Sequence, residues 1–141
     1  MSTIVTRAGK GSPLTHTELD ANFTNLNTDK AGYITGEGGA VTQATDKTTG
    51  VTLNKRCGQI TMNAASLANN ALVKFTLTNS TIAATDVVLV NHSTGGSNTG
   101  GYAITAHPAA GSVVIGVRNV SGGSLSEAIV LNFAVIKAAA A

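Results

Sequence analysis

Charge is scarce in this sequence. Asp, Glu, Lys and Arg make up 11% of its 141 residues, against about 25% in an ordinary globular chain. Apolar residues reach 43%, so the scarcity is not the signature of disorder, which pairs low hydrophobicity with high net charge. The polar surface must instead come from Thr, Ser, Asn and Gln. Such a surface repels copies of itself weakly, which suits a protein covered by neighbours or one that hides its strand edges in closed oligomers. Nine Lys and Arg residues give a net charge of +2 and stand singly apart from Lys55-Arg56. With three Phe, two Tyr and no Trp, the chain shows neither the basic footprint nor the stacking aromatics of a nucleic-acid binder. A single cysteine, Cys57, excludes an internal disulfide and a thiolate zinc cage. Set between Arg56 and Gly58, it reads as a small strand-end residue. No apolar run is long enough for a signal peptide or a bilayer span, which predicts cytoplasmic synthesis and no membrane insertion.

Catalytic patterns are also missing. The histidines, His16, His92 and His107, fall on a helix start, a loop and a strand end. A nucleophile, a base and an orienting acid must converge for triad chemistry; Asp86, His92 and a serine are the only hint of one. No carboxylates pair at a spacing suited to acid–base work, and no Asp/Glu-dense loop suits calcium. The stretch Ala8-Gly9-Lys10-Gly11 has Ile4 where a phosphate loop needs its first glycine and Gly11 where it needs a hydroxyl. The expectation is no enzyme, no catalytic residue, no cofactor and no metal. Asn79-Ser80-Thr81 and Asn119-Val120-Ser121 match the glycosylation triplet, as chance allows in a chain so rich in these residues.

What is present begins with a helix. Residues 14–27 read LTHTELDANFTNLN. Thr15 caps the N-terminus and Glu18, three residues on, reaches back to it. Leu14 before the cap and Leu19 after it form a hydrophobic staple. Leu19, Phe23 and Leu26 share one face by spacings of four and three, and Lys30 and Gly32 mark the end. A helix of about a dozen residues is marginal alone in water, so its stripe must dock. Leu14, Leu19, Phe23 and Leu26 are therefore the candidate anchoring or oligomer interface. The preceding residues, Ser2 to Thr6 and then Ala8 to Pro13, read as an extended and turning arm.

After a Gly-rich linker, strand signals recur: Ala40–Gln43, Val51–Leu53, Gly58–Met62, Ala71–Thr78, Asp86–Asn91, Tyr102–His107, Ser112–Val120 and Ala128–Lys137. In Ala71–Thr78, the odd-numbered residues Ala71, Val73, Phe75 and Leu77 face one way. Asp86–Asn91 is a continuous apolar run, the pattern of a strand buried on both faces. Met62–Asn70 has room for one helical turn, and Pro108–Gly111 reads as a turn. These patterns predict a mainly β fold: an antiparallel β-sandwich, jelly-roll-like or immunoglobulin-like, with an N-terminal arm and one short helix. The expected division is an arm and anchoring helix over residues 1–38 and a sandwich over 39–141. The polar stretch 91–101 reads as a long loop, and His92, Ser93, Asn98 and Tyr102 are its candidate surface-contact residues.

The segment Pro13 to Asn27, with Glu18-Leu19-Asp20-Ala21-Asn22-Phe23 at its centre, resembles the N-terminal attachment element of many tailed-bacteriophage tail-fibre and head-fibre proteins. The Thr- and Gly-rich region from Val51 onward resembles, in style, capsid decoration (cement) proteins and short fibres. The resemblance implies a homotrimer, a virion location after assembly in a host cytoplasm, no cofactor, and major capsid or other virion proteins as partners. No repetitive shaft separates arm from domain, which favours a trimeric decoration protein or short head fibre that stabilises the shell. The alternative is a tail-fibre or tail-tip protein whose loops bind host surface glycan, with Tyr102 as the aromatic platform that sugars require.

Overall fold

The computed structural model describes residues 4–28, 36–98 and 100–138, with backbone alone for residues 26–28. Two helices come first: α1 (Arg7–Lys10) and α2 (His16–Thr28). Eight strands follow: β1 (Ala40–Thr42), β2 (Val51–Thr52), β3 (Cys57–Thr61), β4 (Leu72–Thr78), β5 (Val87–Thr94), β6 (Tyr102–Ala109), β7 (Ser112–Asn119) and β8 (Val130–Ile136). They form two four-stranded sheets, ordered β1-β3-β8-β5 and β2-β4-β7-β6. The fold is a β-sandwich, as the strand pattern predicts.

The core follows from period-2 alternation. In β4 and β7, Phe75 pairs with Ile115 and Leu77 with Val113, all turned inward and buried. From the other sheet come Ile60, Leu131, Phe133 and Val135. Met62, Leu67, Ile82 and Ile129 join this cluster from the connections. Each such fully buried side chain contributes roughly 1.5–3 kcal/mol, which is what orders a domain this poor in ion pairs.

Several expectations change. The arm is not wholly extended: Thr6 accepts the Gly9 N–H at 3.1 Å and starts the single turn α1. The sandwich is not entirely antiparallel, because β1 pairs with β3 and β2 with β4 in parallel. Both are short edge strands, attached by connections that cross between the sheets. Met62–Asn70 makes no helical turn; Leu67 within it bridges Leu125 through reciprocal N–H···O bonds of 2.8 and 3.0 Å, and Asn69-Asn70 form a turn closed by the Ala71 N–H on the Ala68 carbonyl at 3.1 Å. Pro108 lies inside β6 rather than in a turn. An edge strand tolerates proline because half its N–H groups face away from the sheet.

The largest correction concerns β5. Its apolar run is not buried on both faces. Val88 points into the core, whereas Val87 and Leu89 are 51% and 57% exposed. β5 is the outer strand of its sheet, and nothing among the described residues covers its outward side chains. A run of Val and Leu looks the same in a doubly covered strand and in an edge strand with an uncovered apolar face. β5 also continues through Asn91 and His92 to Thr94, with a register irregularity between His92 and Thr94. The polar stretch is thus shorter than it reads.

Candidate functional site

Helix α2 is built as its sequence dictates. The Glu18 N–H donates to Thr15 Oγ1 at 3.2 Å, and Glu18 Oε2 accepts the Thr15 N–H at 2.8 Å. That reciprocal pair is the capping box. Lys10, at the end of α1, adds an ion pair to the same oxygen. The Lys10 ammonium, followed by the Thr15 bonds, holds the Glu18 carboxyl down to about 2. A second tie joins arm to helix. The Val5 N–H donates to Asn22 Oδ1 at 2.8 Å, and Asn22 Nδ2 donates to the Val5 carbonyl at 2.7 Å. The side-chain amide thus mimics a backbone partner and lays Ile4-Val5 along α2.

Lys10, Thr15, Glu18 and Asn22 of this unit are engaged, while Leu19 and Phe23 stand open. Leu19 is 44% exposed and Phe23 65%. Leu14 is half-buried. Leu26 lies in the last turn of α2, and its side chain falls outside the described residues, as do Lys30 and Gly32. Ile4 and Val5, tied beside Asn22, are also exposed and widen the apolar stripe. Sequence reasoning missed that contribution, because the Val5–Asn22 tie joins residues seventeen apart.

Two of the loop candidates, Tyr102 and His92, gather beside a residue that the sequence did not mark, Glu127. Its Oε1 accepts both the Ser97 N–H and the Ser97 hydroxyl, at 2.7 and 2.8 Å. Its Oε2 accepts the Tyr102 hydroxyl at 3.1 Å. The Ser97 N–H, then the Ser97 hydroxyl, hold this carboxyl below the usual carboxylate range. Burial, followed by the hydrogen bond to Glu127, pushes Tyr102 up to about 12. The His92 ring meets the Tyr102 ring edge-on, centroids 5.7 Å apart at 87°. His92 Nε2 lies 3.1 and 2.8 Å from the carbonyls of Thr94 and Gly95. Both partners are acceptors, so Nε2 carries the proton. Gly95 completes the clamp: at φ +77°, with its backbone against the Ala128 carbonyl, it leaves no room for a Cβ.

This arrangement holds the loop to the segment before β8 and leaves no aromatic face free. Tyr102 is only 9% exposed. Ser93 points outward from β5, and the Asn98 carbonyl accepts the Gly101 N–H at 3.1 Å; neither joins the cluster. Asp86 does not approach a triad with His92. Buried, it accepts the Ala83 N–H at 2.7 Å and the Lys137 ammonium. Among the described residues, no group of three or more His, Cys, Asp or Glu side chains stands together to hold a metal. No described helix is long and apolar enough to cross a membrane.

The fold and these surfaces define a two-sheet β-sandwich carrying a capped helical arm with an open apolar stripe. No protein-family model, curated protein or solved structure matches the chain.

Proposed function

We propose that this chain is a structural component of a tailed-phage particle, a trimeric capsid decoration protein or short head fibre held by its N-terminal arm. The observation that carries the reading is the arm. Its hydrogen-bonding groups are satisfied locally by Thr15, Glu18, Lys10 and Asn22, while Leu19 and Phe23 are exposed. A short helix gains little by itself in water. A stripe this open is stabilised only against another surface. The likeness of Pro13–Asn27 to phage attachment elements points to sister chains and shell subunits as that surface. The sandwich, rich in Thr and Asn and poor in charge, then lies on or projects from the shell. Many weak contacts repeated over a shell sum through multivalency.

Glycan capture at the 93–98 loop has less to support it, since Tyr102 is buried and its hydroxyl is spent on Glu127. The test begins with the mass of the purified full chain by light scattering. Three times the 14.1 kDa of one chain is expected, falling to one on combining Leu19→Asp with Phe23→Asp. Particles assembled with and without the chain are then heated. Rupture at a lower temperature without it supports cementing, and equal rupture temperatures refute it.

A further inference from the structure

The two outer faces of the sandwich differ in kind. Around the β2-β4-β7-β6 sheet, the outward positions include Lys74, His107 and Arg118. Lys74 and Arg118 give that face two fixed positive charges. On the other sheet, the outward positions of β1, β3, β8 and β5 carry no charged residue. One end of it is polar, with Gln59, Asn91 and Asn132 side by side. The other end is apolar: Val87 pairs with Ile136 and Leu89 with Ala134, and Val87, Leu89 and Ile136 are each at least half exposed. A contiguous open apolar patch on a domain marks a contact site.

The same molecule presents a matching apolar surface, the Leu19–Phe23 stripe of α2. The chain between them enters the sandwich at this end. The Lys55 ammonium donates to the Gly36 carbonyl at 2.6 Å, and Gly38 lies against Cys57 Sγ. Cys57 pairs with Ala134, and Ala134 with Leu89, so the entry point is about 10 Å, two strand spacings, from the patch. At roughly 3.5 Å per residue, the eight residues past Thr28 extend at most about 28 Å. That length is enough for α2 to reach the apolar face of a neighbouring copy. In the single chain both surfaces stand open, so α2 is not seated on its own sheet.

Resting on the attachment reading above, we propose that α2 of one copy docks on the apolar end of the β3-β8-β5 face of the next copy. The contact is head-to-tail: one arm is donated and one face receives. Such contacts leave no free ends only when the ring closes. A single arm–face contact is small beside the roughly 1,200–2,000 Å² of a standard interface. A closed ring gives every chain two contacts, and its last contact forms intramolecularly.

The test is a directed cross-link in the full chain. With Cys57→Ser removing the native thiol, Phe23→Cys and Leu89→Cys are introduced together and oxidised. Disulfide-linked dimers and trimers on a non-reducing gel are the expected result. A bond formed only within one chain means that the arm folds back, which overturns both this inference and the attachment reading. An oligomer that persists without any cross-link overturns this inference alone, since the arms then bundle elsewhere. As a second measurement, Leu89→Asp, at an exposed position, keeps the melting profile of the sandwich and lowers the mass to one chain. An unchanged mass also overturns the proposal while leaving the role of Phe23 intact.

Discussion

At the scale of single residues, buried asparagines do the work that charge does elsewhere. Asn119 is fully buried at the end of β7. Its Nδ2 donates to the carbonyls of Leu67 and Gly123, both at 2.7 Å, and its Oδ1 accepts the N–H and hydroxyl of Ser121. Asn79, at the end of β4, repeats the device with the Lys55 carbonyl and the N–H and hydroxyl of Thr81. These two of the chain's glycosylation-like triplets are therefore turn locks: the hydroxyl two residues on satisfies the amide oxygen of the asparagine. Asn119→Ala leaves two carbonyls without that donor. It is expected to lower unfolding free energy by about 2–4 kcal/mol, read from the urea midpoint at constant slope. Ser121→Ala, which removes the hydroxyl that donates to Asn119 Oδ1 and to the Gly123 carbonyl, should cost about 1 kcal/mol in the same assay. Lys47 is a charged version of the same strategy. Though only 3% exposed, its ammonium donates to the carbonyls of Asn63 and Glu127, and burial lowers its pKa.

At the scale of elements, local and non-local ones differ in how they were legible. α2 is read directly from the sequence, because Thr15, Glu18 and the Leu19–Phe23 spacing act within a few residues of one another. β4 and β7 are legible for the same reason, since alternation is local. The parallel pairing of β1 is not, because nothing in Ala40–Thr42 names Gln59–Thr61 as its partner. What permits it is Gly58. A Cβ there would stand 2.5 Å from the Gly39 carbonyl and 2.8 Å from the Leu53 side chain. Gly58→Ala is expected to push β1 off the sheet and destabilise the domain by about 1–3 kcal/mol. Faster hydrogen exchange at the Gln59 amide, which donates to the Gly39 carbonyl at 2.8 Å, is the measurement that checks it.

For the whole molecule, two carboxylates join segments far apart in the chain. Glu127 clamps the 95–98 loop, and Asp86 gathers Ala83, Ala138 and Lys137. The Ser97 N–H holds Glu127 low, and the Ala83 N–H, then Lys137, hold Asp86 low. A carboxyl whose folded pKa is depressed binds fewer protons folded than unfolded. Its stabilisation is present above the unfolded values, 4.5 for Glu127 and 3.8 for Asp86, and is lost as pH falls through the folded ones. Thermal stability should therefore hold from pH 7 to about 5 and decline below about 4. Glu127→Gln should flatten that decline, as followed by circular dichroism melts. Glu18, held down to about 2, keeps the helix cap ionised through most of that range.

The sequence by itself determined what neighbouring residues decide: a capped amphipathic helix, strands with an inward and an outward side, and the turns between them. It also determined that charge would be scarce, at 11% of the residues. Only the tertiary structure decided which strand takes the edge, so that Val87 and Leu89 of an apolar run face outward. It alone brought Glu127 to Ser97 and Tyr102, thirty and twenty-five residues away. The physical reason is range. Caps and alternation are settled by contacts a few residues apart, whereas sheet order and the loop clamp depend on which distant segments meet when the core closes, and residue pattern within one segment does not encode that meeting.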